Sequence, residues 1–332
     1  FNKSHAAAYA LLSYHTAYLK VHHTAAFMAA NMSLAMEDTD KIKILVEDSI
    51  DMCGLTILPP DVNESQFRFT PEGPPPSVTS KQVKNIRYGL GGVKGAGQGA
   101  IEAIIAAREE GGRFKDLFDF CKRVDRKQIN RRTIESLIRA GAMDCFGIDR
   151  AVLLATVAFA LAAAGPAAAA APQVSLFGGD QSEASRPRLP KVEPWDQIRR
   201  LDEELAAVGF YLTGHPLEDM VKVLQRRRVT LLQDALPEAE AGRDAFKMAG
   251  IVRRRQERAS QSGDKFAFVS MTDPTGEYEV LFPPESLRKC RDVLEPGKAV
   301  VIRVRAKAKE GEVRFFGDDA ETDLLRALRR AA

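Results

Sequence analysis

The chain has 332 residues, of which 45% are hydrophobic and 28% charged, values that predict two or three globular domains and exclude a wholly disordered or collagen-like protein. The longest apolar stretch, residues 151–171, is mostly alanine and is interrupted by Gly165 and Pro166, so the sequence predicts no membrane span. The four cysteines are scattered without a CxxC pair, which excludes a disulfide framework and favours a reducing cytoplasm. The chain opens at Phe1 without a signal-peptide pattern, and we expect it to be a piece of a longer protein.

Charge alternates along the chain, although the net charge is only +3. Residues 81–150 carry 15 basic and 9 acidic side chains, and residues 246–332 carry 18 and 14, whereas the other two segments are acidic. A polyanionic partner that contacts both basic segments would explain this pattern, and so would ordinary solvated surface. Charge alone leaves both explanations open.

The N-terminal part predicts helices followed by a short strand. Ser4 suits the N-cap of a long first helix, and apolar residues at helical spacing predict further helices over 25–36 and 39–52. Residues 55–58 predict a strand, and the proline-rich residues 71–80 predict a linker or surface loop.

A glycine-rich turn between two predicted helices is the strongest motif of the chain. It consists of Val93, Lys94, Gly95, Ala96 and Gly97. Glycines let the backbone approach a phosphate closely, and the following helix offers unpaired amides and the positive end of its dipole. The alternative is a turn that only lets two helices pack, but the basic surroundings favour binding of a nucleic-acid backbone.

A second, weaker copy of this motif is predicted around Gly141, after Arg131 and Arg132. Two helix-hairpin-helix elements in tandem would hold both strands of a duplex without reading its sequence, because phosphates carry no base information. The residues expected to contact DNA are Val93, Lys94, Gly95, Gly97, Arg131, Arg132 and Gly141.

A low-complexity tract follows a predicted helix over residues 152–163. Its composition over about residues 164–190 cannot bury enough apolar surface to offset the entropy of ordering, so it predicts disorder. Within the tract, Gln173, Leu176 and Phe177 form an apolar anchor beside an amide, an arrangement by which a disordered peptide enters preformed pockets of a partner. A chance apolar triplet in a linker is the alternative.

The C-terminal part predicts helices over 195–208 and 217–227, and then a small β-barrel. From residue 246 onwards, apolar residues alternate with period two in five short strands, and a helix over 284–291 separates the third from the fourth. This pattern is typical of an OB-type barrel, which binds single strands with a basic groove and stacking aromatics. Phe266 and Phe268 share one face of the second strand and are expected to lie in the core. Five basic residues are expected to fill the first hairpin loop: Arg253, Arg254, Arg255, Arg258 and Lys265.

The sequence predicts no bound metal or cofactor in this chain. Its five histidines, at positions 5, 15, 22, 23 and 215, show no metal-binding spacing. No pair of aspartates on neighbouring apolar strands suggests two-metal chemistry.

Four segments resemble, in the same order, parts of the bacterial DNA polymerase III α subunit family, the C-family replicative polymerases. Residues 1–20 (FNKSHAAAYALLSYHTAYLK) look like its fingers helix, and residues 89–105 (GLGGVKGAGQGAIEAII) like its tandem helix-hairpin-helix region. Residues 173–179 (QVSLFGG) resemble its internal sliding-clamp-binding peptide, and residues 209–217 (GFYLTGHPL) the segment before its OB domain. The shared order is more specific than any single motif.

This resemblance implies a multidomain α plus β fold from the C-terminal portion of such a polymerase. The expected divisions are the end of the fingers domain (1–80), a tandem helix-hairpin-helix DNA-binding domain (81–163), a disordered linker with the clamp-binding peptide (164–192), a helical connector (193–243), an OB-fold domain (244–320) and a tail (321–332).

In the intact enzyme the implied reaction is DNA-templated nucleotidyl transfer, with Mg²⁺ held by palm carboxylates that the family carries upstream of Phe1. This chain is expected to bind duplex DNA, the β sliding clamp and other polymerase III holoenzyme subunits, and single-stranded template through the barrel. The fingers resemblance would direct Lys3, His5 and Tyr9 to the incoming nucleotide, although the same residues suit plain helix surface.

The competing interpretation is a free-standing, non-catalytic DNA-binding adaptor built from helix-hairpin-helix and OB modules. A palm domain encoded in frame upstream of Phe1 would exclude it. The related error-prone polymerase is disfavoured by the presence of QVSLF at residues 173–177.

Overall fold

The computed structural model describes residues 3–73, 83–164, 189–259, 263–309 and 312–322. Contacts within the chain divide it into an N-terminal unit, Phe1–Thr213, and a C-terminal unit, Gly214–Ala332. Most of the proline-rich loop, the clamp-peptide residues Gln173, Leu176 and Phe177, and the tail after residue 322 lie outside the described residues. Within those described ranges, no helix combines the length and the apolar character needed to cross a membrane.

The N-terminal unit begins with three helices, as the sequence predicts: α1 (Lys3–His22), α2 (Thr24–Leu34) and α3 (Thr39–Glu47). Ser4, the expected N-cap, lies inside α1, whereas Asp38 caps α3 through its carboxylate. The sequence predicts that the third helix continues to residue 52. The α-helical part instead ends at Glu47, and a π-helical turn over Asp48–Met52 leads to Gly54, whose φ is +61°.

A three-stranded sheet follows, of which the sequence predicts only the first strand: β1 (Thr56–Leu58), β2 (Thr70–Glu72) and β3 (Asn85–Arg87). β3 lies in the middle, parallel to β1 and antiparallel to β2. The Ser65 hydroxyl donates to the Tyr88 carbonyl oxygen at 2.8 Å and accepts from the Asp61 N–H at 2.9 Å, which connects the loop before β2 to the end of β3. Three-residue strands are too short for an alternating pattern to show in a sequence.

The described residues of this unit form five further α-helices: α4 (Gln98–Gly111), α5 (Leu117–Arg123), α6 (Arg131–Arg139), α7 (Arg150–Ala163) and α8 (Gln197–Val208). Four of them begin at a capping side chain: Asp116, Asn130, Asp149 and Asp196. The Asp116 carboxylate accepts from the Asp119 N–H at 2.8 Å and thereby sets the start of α5 at Leu117. The helices share one core, in which Ile101, Phe120 and Leu137 are completely buried.

The C-terminal unit consists of a helical connector and a closed five-stranded barrel, with elements α9 (Val221–Arg226), α10 (Leu232–Glu240), β4 (Ala245–Ala259), β5 (Lys265–Asp273), β6 (Gly276–Phe282), α11 (Pro284–Cys290), β7 (Ala299–Lys309) and β8 (Glu312–Glu321). The strand order around the barrel is β4-β5-β6-β8-β7, and β7 pairs with β4 to close it. β6 and β8 are parallel, and the other pairs are antiparallel. The predicted OB-type barrel, with its helix between the third and fourth strands, is confirmed.

Two predictions about the barrel surface are wrong. Residues 253–258 lie within β4 and not in a hairpin loop, because β4 pairs with β7 through its first half and with β5 through its second. Phe266 and Phe268 lie outside the core. The residues that follow each of them, Ala267 and Val269, are fully buried and face the interior of the barrel. Successive side chains on a strand point to opposite faces, so only one of the two sets can fill the barrel.

Candidate nucleic-acid interfaces

The glycine-rich turn before α4 presents an open helix N-terminus. Val93 is 2% exposed and Ala96 is 9% exposed, so these two side chains hold the turn to the core while Lys94 is exposed. Gly95 has a φ of +80°, which L side chains rarely adopt. Gly97 is the N-cap of α4, where a Cβ would meet nothing within 4 Å and no side chain caps the helix. The first amides of α4 are therefore available to an anion.

The turn between α5 and α6 lies beside the glycine-rich turn. The Thr133 hydroxyl donates to the Gly95 carbonyl oxygen at 3.3 Å, and a Cβ on Gly99 would lie 3.1 Å from Gln128 Oε1. Asn130 caps α6 by accepting from the Thr133 N–H at 2.9 Å. The N-termini of α4 and α6 are thus brought to one surface.

Exposed basic side chains surround these two turns. The sequence predicts three of them, Lys94, Arg131 and Arg132. The structure adds Arg126 and Lys127, which lie in the α5–α6 turn. Arg131 Nε donates to Glu135 Oε1 at 2.6 Å, so its charge is partly balanced. The run Asp-Arg-Lys-Gln over residues 125–128, which ends two residues before the Asn130 cap, is the sequence signal that could have identified the two missed residues. We call these five side chains, together with the N-terminus of α4, the hairpin surface.

Gly141, the expected glycine of the second hairpin, lies away from the exposed surface. It follows α6 with a φ of +83° and is buried, and a Cβ there would lie 2.2 Å from Arg150 Nη2. Arg150 is 4% exposed and donates to both carboxylate oxygens of Asp144, at 2.8 and 2.7 Å. A glycine is needed at position 141 because Arg150 leaves no space for a side chain there. A phosphate could not reach Gly141 without moving Arg150.

The five basic residues predicted on the barrel fall into two groups. Arg253 Nε lies 3.8 Å from Glu277 Oε1, and Arg255 Nη1 donates to two backbone carbonyl oxygens after α11, at 2.7 and 3.0 Å. Because these two side chains are only 21% exposed, their main contacts are internal. The exposed members of the set are Arg254, Arg258 and Lys265.

An apolar stripe crosses the outer surface of three barrel strands. It consists of Phe268 on β5, its cross-strand partner Leu281 on β6, and Phe316 on β8, which pairs with Leu281. The Arg258 guanidinium lies 5.3 Å from the centre of the Phe268 ring, and Lys307 Nζ lies 5.4 Å from that of Phe316. Aromatic faces flanked by cations suit single-stranded nucleic acid. The sequence analysis missed Leu281 and Phe316, since their neighbours depend on strand register.

Lys3, His5 and Tyr9, the residues that the family resemblance associates with the nucleotide, lie on the exposed surface of α1. The His5 and Tyr9 ring centres are 4.5 Å apart. No residue of α1 is buried, so these three side chains stand on an open helix. Their role in nucleotide binding stays a prediction.

The described residues hold no group of three or more histidine, cysteine, aspartate or glutamate side chains that could bind a metal ion. Burial raises the pKa of the Cys121 thiol to about 12. This thiol is therefore protonated at neutral pH and is a poor nucleophile.

Two family models match the chain. Residues 54–153 match a helix-hairpin-helix motif, and residues 246–322 match an OB-fold nucleic acid binding domain. The first match includes the whole hairpin surface, and the second includes the apolar stripe. The two matches imply nucleic-acid binding.

Curated relatives cover almost the whole chain. DNA polymerase III subunit alpha of Caulobacter vibrioides is 56% identical over 97% of this chain. The subunits of the same name from Neisseria meningitidis serogroup B and Escherichia coli K12 are 41% and 37% identical, each over 91% of this chain. The chain spans 27%, 25% and 25% of the length of these three relatives.

Solved structures overlap with smaller parts of the chain. A mitochondrial single-stranded DNA binding protein from S. cerevisiae aligns with a TM-score of 0.21 at 14% identity, over 24% of this chain and 90% of that one. A Replication Protein A heterotrimer bound to single-stranded DNA aligns with a TM-score of 0.20 at 14% identity, over 27% of this chain and 68% of that one. Scores this low carry no conclusion about function.

Proposed function

Since the resemblance to the DNA polymerase III α subunit is confirmed by relatives that cover up to 97% of the chain, we propose that this chain is the DNA-holding part of a replicative polymerase. Identity along nearly all of its length supports this over a free-standing adaptor. The proposed reaction of the whole protein is DNA-templated nucleotidyl transfer in the cytoplasm, with Mg²⁺ as its metal. We assign the binding of DNA and partners to this chain, because its two family matches are nucleic-acid-binding modules.

The hairpin surface is proposed to bind the backbone of duplex DNA. The observation that carries this proposal is the open N-terminus of α4 at Gly97, with exposed Lys94 on the same turn. Unpaired amides, a helix dipole and a lysine all favour a phosphate. Contacts of this kind are independent of base sequence, as a replicative polymerase requires.

The apolar stripe of the barrel is proposed to bind single-stranded template. Phe268 and Phe316 offer faces on which bases can stack, and Arg258 and Lys307 offer charges for the phosphates between them. Lys3, His5 and Tyr9 are proposed to contact the incoming nucleotide; their exposure on α1 supports access to a ligand.

The β sliding clamp is the proposed partner of Gln173, Leu176 and Phe177, and other holoenzyme subunits are proposed partners of the whole protein. The support for the clamp contact is the sequence alone: an apolar pair that begins three residues after a glutamine, in a tract rich in alanine, glycine and serine.

The duplex proposal is tested by titrating a fluorescent duplex with the full chain between about 50 and 200 mM salt. Lys94→Ala should lower the affinity equally for unrelated sequences and reduce the slope of log K against log salt by about 0.9, the value of one phosphate contact. The matched control is Lys115→Ala, which removes the same charge from an exposed lysine beyond the C-terminal end of α4. Because α4 has 14 residues and is about 21 Å long, Lys115 lies far from the hairpin surface. A wild-type slope for Lys94→Ala would reject the proposal.

A further inference from the structure

The glycine-rich turn is held by a segment that lies more than 100 residues downstream of it. The Lys94 N–H donates to the Ala207 carbonyl oxygen at 2.8 Å, near the C-terminal end of α8. Ala207 and Val208 are 5% and 1% exposed and belong to the same core as Val93. The helix-hairpin-helix match ends at residue 153, so α8 lies outside the motif whose turn it contacts.

Gly209 leaves the space that the Lys94 side chain occupies. It ends α8 with a φ of +108°, and a Cβ there would lie 2.6 Å from Lys94 Nζ and 3.0 Å from Lys94 Cε. The same Cβ would lie 2.3 Å from Thr39 Cγ2. The lysine therefore lies across the glycine, and its ammonium is near the C-terminal end of α8, where the partial negative charge of the helix favours a cation.

Glu204 fixes the direction of the chain after Gly209. Its carboxylate is fully buried and accepts three hydrogen bonds, from the Leu212 N–H at 2.8 Å, the Thr213 N–H at 2.9 Å and the Thr213 hydroxyl at 2.8 Å. Phe210, which is 3% exposed, packs against Tyr88 with ring centres 6.4 Å apart. Since a buried carboxylate without these donors would be strongly destabilising, the three hydrogen bonds favour this arrangement of the turn.

We propose that residues 204–213 position Lys94 for the DNA phosphate, with Gly209 and Glu204 as positioning residues that never touch DNA. This inference rests on the proposed function of the hairpin surface. Its physical basis is preorganisation: a lysine held in one place before binding loses less side-chain entropy when it meets a phosphate. The helix-hairpin-helix motif would then bind DNA at full strength only with α8 in place.

The test uses the full chain with Gly209→Ala combined with Thr39→Ser, which removes the methyl group that the new Cβ would strike. The remaining steric clash is with the flexible end of Lys94, which should be displaced, and the backbone strain of an alanine at a φ of +108° adds to it. Circular dichroism and urea unfolding of the variant measure the effect of that strain on the fold. The salt slope for duplex DNA should fall by about 0.9, so that the loss of affinity between 50 and 200 mM salt is about 3.5-fold smaller than in the wild type. Adding Lys94→Ala to this variant should change the slope no further, because Gly209 acts through that lysine.

Two controls separate positioning from general destabilisation. Thr39→Ser alone should keep the wild-type slope. Gly112→Ala should keep it as well: Gly112 is the C-cap of α4 with a φ of +73°, and a Cβ there meets nothing within 4 Å. This substitution also places an alanine at a positive φ, but far from Lys94.

A second variant, Glu204→Gln, tests the turn independently. Its amide cannot accept all three hydrogen bonds as the carboxylate does, so hydrogen exchange at the Leu212, Thr213 and Lys94 amides should accelerate and the salt slope should fall. If Lys94→Ala lowers the slope but Gly209→Ala with Thr39→Ser does not, or if the two effects add, the positioning inference is wrong while the proposed function stands. If Lys94→Ala itself leaves the slope unchanged, the proposed function fails and the inference falls with it.

Discussion

At the scale of single residues, the ion pair between Arg87 and Glu72 stabilises the small sheet that precedes the glycine-rich turn. Arg87 Nε and Nη2 donate to the two Glu72 carboxylate oxygens at 2.6 and 2.7 Å, and Nη1 donates to the Pro59 carbonyl oxygen at 3.0 Å. The arginine thus connects β3 both to β2 and to the end of β1. The Arg87 guanidinium holds the pKa of the Glu72 carboxyl below its usual range.

Glu72→Gln should therefore make the free energy of unfolding of the N-terminal unit less dependent on pH in the acidic range. Because the folded-state pKa is lowered, the ionised carboxylate contributes stability above its unfolded pKa of about 4.3, and this contribution is lost as the pH falls through the folded pKa. The variant should be less stable than the wild type at pH 7, and the difference should disappear at lower pH. The Glu72 side chain is 40% exposed, so we expect less than about 1 kcal/mol. Urea unfolding at several pH values measures this, and a difference that grows on acidification would contradict it.

At the scale of elements, β4 shows how one strand serves two surfaces. Its first half, residues 245–251, pairs with β7 and is largely buried, whereas its second half pairs with β5 and alternates between half-buried and exposed residues. The register shifts between Val252 and Arg254, where one surface gives way to the other. The arginines that follow the register shift belong to the strand β4, which pairs with β5 beside the apolar stripe, and not to a loop.

Gly317 on β8 allows the barrel to close over Phe282. A Cβ at this position would lie 2.4 to 2.6 Å from three atoms of the Phe282 ring, which is fully buried. Gly317→Ala should cost about 1–3 kcal/mol of barrel stability through overpacking. Hydrogen exchange of the barrel amides in urea measures the loss. Adding Phe282→Leu should restore part of it, and equal stability of Gly317→Ala and the wild type would exclude this packing.

Substitutions in the apolar stripe should weaken the binding of single-stranded DNA without changing the binding of duplex DNA. Phe268→Ala should weaken binding of a single-stranded oligonucleotide by about 1–3 kcal/mol, the value of one stacked base, and leave duplex binding unchanged. The matched control is Phe159→Ala, which removes a 52% exposed aromatic side chain from α7 in the other unit. Equal losses for the two variants, measured by fluorescence anisotropy, would show that the stripe has no special role.

At the scale of the whole molecule, the chain combines two nucleic-acid-binding modules with a segment proposed to bind the clamp. The hairpin surface belongs to the N-terminal unit and the apolar stripe to the C-terminal unit. Modules joined in one chain act at a high effective concentration, so modest individual affinities can give tight overall attachment. A polymerase that must hold DNA while moving along it benefits from several weak, sequence-independent contacts.

Leu176 and Phe177 should provide most of the affinity for the β sliding clamp. Full burial of each side chain is worth roughly 1.5–3 kcal/mol, and ordering of the surrounding tract opposes this, so we expect a modest affinity for a peptide of residues 170–181. Leu176→Ala with Phe177→Ala should abolish binding by the peptide and by the full chain, whereas Ser175→Ala should preserve it. Calorimetry with purified clamp measures these affinities. Equal binding by the wild type and both variants would show that the segment is only a linker.

Local patterns in the sequence determined most helices and the barrel strands of this protein, but not β2 and β3. Asp38 and Asn130 mark helix starts because a capping side chain acts on the amides two or three residues away, and period-two alternation reveals the barrel because each strand fills one interior. The glycine-rich turn at Gly95 could also be located, since a positive φ is a local requirement. The colinear segments that resemble a replicative polymerase added the expected function.

Only the tertiary structure decided which of these elements meet. It placed Gly141 beneath Arg150, aligned Phe268 with Phe316 across the intervening strand, and brought Ala207 to the Lys94 amide. Such neighbours depend on strand register and on the packing of helices that are far apart in the chain, and backbone preferences, which act over a few residues, carry no information about either.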